Sequence, residues 1–143
     1  MDALLIPQTR SKRANSRALN RKTVLIVDES EETRDVLSIA LERRGVRALT
    51  ASVPRRGAEI AREQKPDLVV LDVDAVPSAP RVALDEFARD GNLEDSPIMA
   101  IGEAKFTASF KEGEFVAKPF HFAPLLEKIE AFLQSADDKR ERG

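Results

Sequence analysis

Residues 65–72 read Lys-Pro-Asp-Leu-Val-Val-Leu-Asp. Lys65, Pro66 and Asp67 break whatever precedes them, Leu68 to Leu71 form the most apolar strand-like run in the chain, and Asp72 closes it. Such a run, with no polar alternation, predicts a strand covered on both faces, as in a parallel sheet with helices on each side. An acid at the C-terminal end of that strand lies on the rim where open α/β sheets bind their ligands.

The pattern repeats outward from this stretch. Upstream, Thr23 to Val27 is a second apolar run, and it ends on Asp28 and Glu29. Ser30 then offers a helix N-cap, Glu31 and Glu32 favour the positive helix end, and Val36, Leu37, Ala40 and Leu41 recur at helical spacing until Gly45. Val46 to Thr50 is a weaker strand, and Ser52-Val53-Pro54 opens a helix running to about Lys65. Downstream, a loop with Pro77 and Pro80 precedes a helix near Val82 to Arg89, a turn segment from Gly91 to Pro97, and a strand from Ile98 to Ile101 that ends at Gly102. Only 12 residues separate Gly102 from the fifth strand, Phe115 to Ala117, so a full crossover helix barely fits there. After Lys118-Pro119-Phe120 a last helix takes Pro124 near its start and carries Leu125, Leu126, Ile129, Phe132 and Leu133 along one face.

Strands alternating with helices make the class α/β. If the runs ending at Asp28 and Asp72 and the one ending at Lys118 are parallel neighbours, their C-terminal ends gather Asp28, Glu29, Asp72 and the Lys118 ammonium into one pocket. Two carboxylates about 4 Å apart repel by roughly 4 kcal/mol at an effective dielectric near 20, so such a pocket demands a cation or a raised pKa. It is a site for a divalent cation and a phosphoryl group.

A chain of 143 residues fits one domain with tails, and 42% hydrophobic with 34% charged residues is a globular composition. The expected division is a basic, disordered tail over 1–22, a folded domain over 23–134, and a charged tail over 135–143. Residues 1–22 carry six basic side chains against Asp2, which leaves −7 for the remainder of a chain whose net charge is −2. The tail reads first as a solvated leader; as an arm for nucleic acid it lacks any aromatic residue to stack on bases. No apolar stretch approaches the roughly 20 residues needed to span a bilayer. The N-terminus has apolar residues before basic ones, the wrong order for a secretory signal, so the expected location is cytoplasmic. Cysteine is absent, which removes disulfides, thiolate metal sites and cysteine nucleophiles. There is no glycine-rich phosphate loop, GxSxG elbow or HExxH motif.

Taken in order, VLIVDES, KPDLVVLD, PIMAIG and FVAKPF resemble the receiver domain of two-component response regulators over roughly residues 23–134. The resemblance implies a doubly wound, five-stranded parallel sheet of flavodoxin-like topology, here with a short or irregular fourth helix. It implies Mg2+ held by Asp28 and Glu29, directly or through water, by an oxygen of Asp72, and by the main-chain carbonyl of Asp74. It also implies that Asp72 is the phosphoacceptor and that Lys118 assists by neutralising phosphoryl oxygens. The partners implied are a sensor histidine kinase or phosphotransfer protein and a downstream protein, with a homodimer left open; modification and its own hydrolysis are the only chemistry expected. At this length the expectation is a stand-alone receiver without a DNA-binding output domain.

The chain departs from the family pattern where the switch belongs. A serine or threonine hydroxyl is expected to end the fourth strand and move to the new phosphoryl group; this sequence has Gly102, followed by Glu103 where a very small residue is usual. The aromatic partner is Phe115, which reads either as a moving switch or as plain core. Three readings stay open: an atypical receiver that accepts phosphate, a pseudo-receiver binding module that does not switch, and a nucleic-acid adaptor using the basic arm.

Overall fold

The computed structural model describes residues 22–75 and 78–142. Among them, in chain order, are β1 (Thr23–Val27), α1 (Glu31–Arg43), β2 (Arg47–Ala51), α2 (Pro54–Gln64), β3 (Leu68–Asp72), a 3-10 turn (Val73–Ala75), α3 (Pro80–Asp90), β4 (Ile98–Glu103), a second 3-10 segment (Ala104–Ser109), β5 (Phe115–Lys118) and α4 (Phe122–Arg142). The strands form one parallel sheet in the order β2-β1-β3-β4-β5. The doubly wound α/β architecture expected from the sequence is the one observed, and the fourth crossover is indeed no α-helix.

Side-chain alternation along the strands splits the core in two. Leu25, Val27, Val69, Leu71, Ala100 and Phe115 pack with Ala58, Ala61, Leu84 and Phe87, so α2 and α3 cover one face. Val24, Ile26, Leu68, Val70, Met99 and Ile101 pack with Leu37, Leu41, Leu125, Ile129 and Leu133, so α1 and α4 cover the other. Helices on both faces explain why β3 is buried at every position. They also fix the site: strand order reverses between β1 and β3, and the crossovers leave in opposite directions there, opening a crevice at the C-terminal strand ends.

Local signals act as read. The Ser30 hydroxyl accepts the Thr33 N–H at the start of α1 (3.2 Å). At its end Gly45 adopts φ 83°, while the N–H groups of Gly45 and Val46 return to the carbonyls of Glu42 and Leu41. Pro54 occupies the first turn of α2.

The termini differ from expectation. Lys22, assigned to the basic tail, is buried, and its carbonyl accepts the Arg47 N–H (3.0 Å), adding a rung below β1 and β2. Residues 1–21, the rest of that tail, lie outside the described residues. At the other end α4 continues to Arg142, through the stretch expected as a charged tail, because no glycine or proline interrupts the sequence from Leu125 to Arg142.

Close packing of α2 on the sheet gives a test. A Cβ on Gly57 would lie 2.6 Å from Val27 Cγ2 and 3.1 Å from Phe87 Cε2. Alanine raises helix propensity by about 1 kcal/mol, whereas overpacking costs about 1–3 kcal/mol. Gly57→Ala is therefore expected to lower the urea midpoint, with a net loss of about 1 kcal/mol; an unchanged or higher midpoint would show that α2 sits less tightly than described.

Candidate functional site

Strand register alone brings two carboxylates together. Val27 pairs with Leu71 as the last matched residues of β1 and β3, so Asp28 and Asp72 follow side by side on adjacent strands. Both are buried, at 4% and 5% exposure. Each is held by the backbone that follows it: the Ser30 N–H donates to Asp28 Oδ1 (2.8 Å) and the Asp74 N–H to Asp72 Oδ1 (3.0 Å). These are side-chain turns of the kind aspartate forms two residues ahead, and they fix the loops leaving the sheet.

Lys118 closes the arrangement from β5. It reaches past β4 to place its ammonium 3.0 Å from Asp72 Oδ1 and 3.3 Å from Asp74 Oδ2. Partial burial pulls its pKa down, but hydrogen bonds to Asp72 and Asp74, together with their charges, outweigh this and hold the ammonium above its ordinary value. Asp28 moves up for a different reason: burial disfavours its charged form and the Asp72 carboxylate repels it, which exceeds the relief from the Ser30 N–H, Lys118 and Arg34.

The predicted residues thus fall into groups. Asp28, Asp72, Asp74 and Lys118 share one rim. Glu29 stands next to Asp28 in the chain with its side chain exposed. Among the described residues, no three carboxylates or imidazoles form a set able to hold a metal by side chains alone. What is present is a pair of buried oxygen donors, one of them destabilised as an anion. That suits Mg2+, which keeps several waters and binds through one or two carboxylates plus phosphate oxygens.

The expected switch positions are packed shut. A Cβ at Gly102 would lie 2.9 Å from both Asp74 Oδ1 and Val73 Cγ2, and 3.3 Å from Phe115 Cε1. Phe115 is itself buried and stacks on Phe110 with ring centroids 4.9 Å apart. Glu103, which stands where a very small residue is usual, keeps its exposed carboxylate out of the pocket and pairs it with Lys105 (3.2 Å), while its N–H donates to Asp74 Oδ1 (3.1 Å).

Two contributions escaped the sequence reading. Asp74, expected to supply a carbonyl oxygen, also uses its side chain, which bridges Lys118 and the Glu103 N–H. Arg34 was not singled out; its guanidinium donates to the carbonyls of Asp28 (2.8 Å) and Glu29 (3.0 Å) and so braces the loop that carries the acidic pair. The available signal was an arginine near the positive end of α1, where a cation is disfavoured unless something local holds it. Beside this rim, a pocket of about 480 Å³ is walled by Pro119, Phe120 and Phe122 and by Ser30 and Thr33.

No family profile matches the chain. It is 29% identical over 120 residues to the phosphate regulon transcriptional regulatory protein PhoB of Pseudomonas aeruginosa, covering 79% of this chain and 52% of that protein. It is 30% identical over 118 residues to the KDP operon transcriptional regulatory protein KdpE of Escherichia coli, covering 78% and 51%. The crystal structure of the receiver domain from the hybrid histidine kinase CckA superposes with a TM-score of 0.60 at 28% identity, over 78% of this chain and 98% of that domain. The chain belongs to the response-regulator receivers. It spans about half the length of the curated relatives it matches. Receivers are signalling domains rather than turnover enzymes, and they interact with histidine kinases or phosphotransfer proteins. No helix among the described residues of this receiver is long and apolar enough to cross a membrane.

The electrostatics of the rim make two predictions. Lys118→Ala leaves Asp72 buried beside Asp28 without its cation; breaking a fully buried pair costs about 3–5 kcal/mol, and because Lys118 is 34% exposed the expected loss is smaller, about 1–2 kcal/mol by urea unfolding. A folded-state pKa raised above 3.8 means that the stability tied to protonated Asp28 is full at low pH and is lost as pH rises through the raised value. In metal-free buffer, Asp28→Asn should therefore raise Tm near neutral pH by about 2–5 °C, with the gain shrinking as the pH falls; a gain independent of pH would show that Asp28 is not the group titrating.

Proposed function

We propose that this receiver accepts a phosphoryl group on Asp72 from a phosphohistidine donor and passes the signal on through contact with a downstream protein in the cytoplasm. The observation that carries the reading is the Lys118 ammonium 3.0 Å from a buried Asp72 whose neighbour in register is Asp28. Both hydrogen bonds that Asp72 accepts from described residues fall on Oδ1, which leaves Oδ2 to attack phosphorus in line. The P–N bond to the donor imidazole breaks as the P–O bond forms, and the imidazole departs with its electron pair. Lys118 balances charge on the equatorial oxygens. Asp28 and Asp72 would hold Mg2+, with Glu29 and the Asp74 carbonyl completing the ligand set directly or through water, and the bound ion would supply further neutralisation of the phosphoryl charge. The product is an aspartyl phosphate, a mixed anhydride whose hydrolysis resets the domain.

A second reading is favoured by one specific observation, the packing of Asp74, Val73 and Phe115 over Gly102. With no hydroxyl and no room at that position, the domain is a binding module whose shape does not follow phosphorylation. The nucleic-acid reading rests on residues 1–21, outside the described residues.

Incubation with acetyl phosphate and Mg2+, read by intact mass, tests the first reading. A phosphate adduct is expected that disappears in Asp72→Asn and when EDTA is added. An adduct that persists in Asp72→Asn would remove Asp72 as acceptor. If the adduct forms but partner capture is the same for wild type and Asp72→Ala, the second reading holds.

A further inference from the structure

Three donors reach the Asp72 and Asp74 carboxylates, and each is engaged there: Lys118 Nζ with both, the Asp74 N–H with Asp72 and the Glu103 N–H with Asp74. The Asp74 N–H is on Asp72 Oδ1, while Lys118 Nζ and the Glu103 N–H both reach the Asp74 carboxylate, one on each oxygen. Arg34, a further cation at this rim, is committed to the carbonyls of Asp28 and Glu29. A phosphoryl group on Asp72 needs the donors that Asp74 holds, since charge-assisted hydrogen bonds are what stabilise its oxygens.

Resting on the assignment of Asp72 as acceptor, we infer that Asp74 is a built-in occupant of the phosphoryl subsite, whose carboxylate must release Lys118 and the Glu103 N–H before a phosphoryl group can be bound there. Gly102 belongs to the same device. The point where its Cβ would stand is 2.9 Å from Asp74 Oδ1, so the space a side chain would fill at the end of β4 is the space the carboxylate uses. A side chain at Gly102 on β4 and the Asp74 carboxylate on the 3-10 turn after β3 compete for one space, and in this chain the carboxylate holds it. The part that moves on phosphorylation is then the turn Val73–Ala75, which carries Asp74, and β4 contributes no side chain to the event.

Binding of beryllofluoride in the presence of Mg2+, measured by calorimetry on wild type, Asp74→Ala and Asp74→Asn, tests the inference. Neither substitution removes the Asp74 main-chain carbonyl. Release of one charge-assisted hydrogen bond corresponds to about a tenfold gain, so Asp74→Ala should bind about tenfold tighter, with Asp74→Asn between it and wild type. Should Asp74→Ala fail to fold, Asp74→Asn alone must still bind more tightly than wild type. In the absence of any phosphoryl analogue, the Glu103 amide proton should shift upfield in Asp74→Ala as it loses its carboxylate acceptor. Equal, measurable affinity in wild type and variants overturns the occupant while leaving Asp72 as acceptor. An unmoved Glu103 amide also overturns it. No binding to any of the three proteins overturns the acceptor assignment and the occupant together.

Discussion

Parallel pairing of β1 and β3 puts two carboxylates side by side where the strands end, and burial keeps water from separating their charges. Most of what surrounds that rim answers their repulsion. Lys118 crosses from the edge strand, the Ser30 and Asp74 N–H groups turn inward, and Arg34 pins the loop after β1. Even so, Asp28 is left with a raised pKa. Burial and the neighbouring Asp72 carboxylate thus outweigh the donors and cations that reach Asp28.

The sheet was readable because a strand buried on both faces leaves no choice of composition. Leu68 to Leu71 and Val24 to Val27 cannot be solvent-facing without exposing large apolar areas, and helical spacing between them forces the crossovers. The short segment between β4 and β5 was readable by length alone. Less of the site was legible. Asp28, Asp72 and Lys118 stand at strand ends, where position determines direction. Asp74 and Arg34 act through side chains that leave a 3-10 turn and a helix, and nothing in their spacing says that one meets the Glu103 N–H and the other two carbonyls. Glu103 shows the converse: it stands next to the pocket in sequence, but its carboxylate turns to Lys105 and its amide donates to Asp74.

At Lys22 and along the end of α4, charge alone did not indicate the backbone structure. Charge was taken as a sign of solvated tail, yet a lysine can hand its carbonyl to a neighbouring strand, as Lys22 does, and a run of charged residues without glycine or proline can extend a helix, as in α4. Backbone hydrogen bonding, more than side-chain polarity, decides where such an element stops.

The connection between β4 and β5 has one more consequence. Without an α-helix there, aromatic contact adds to the pairing with β4 in holding the edge strand: Phe115 stacks on Phe110, and the Arg81 guanidinium of α3 lies 5.9 Å from the Phe110 ring centre while it also pairs with Glu114 at 3.5 Å. Phe115, Phe110 and Arg81 therefore form a continuous side-chain link from the edge strand to α3, in place of the cover that a crossover helix would give.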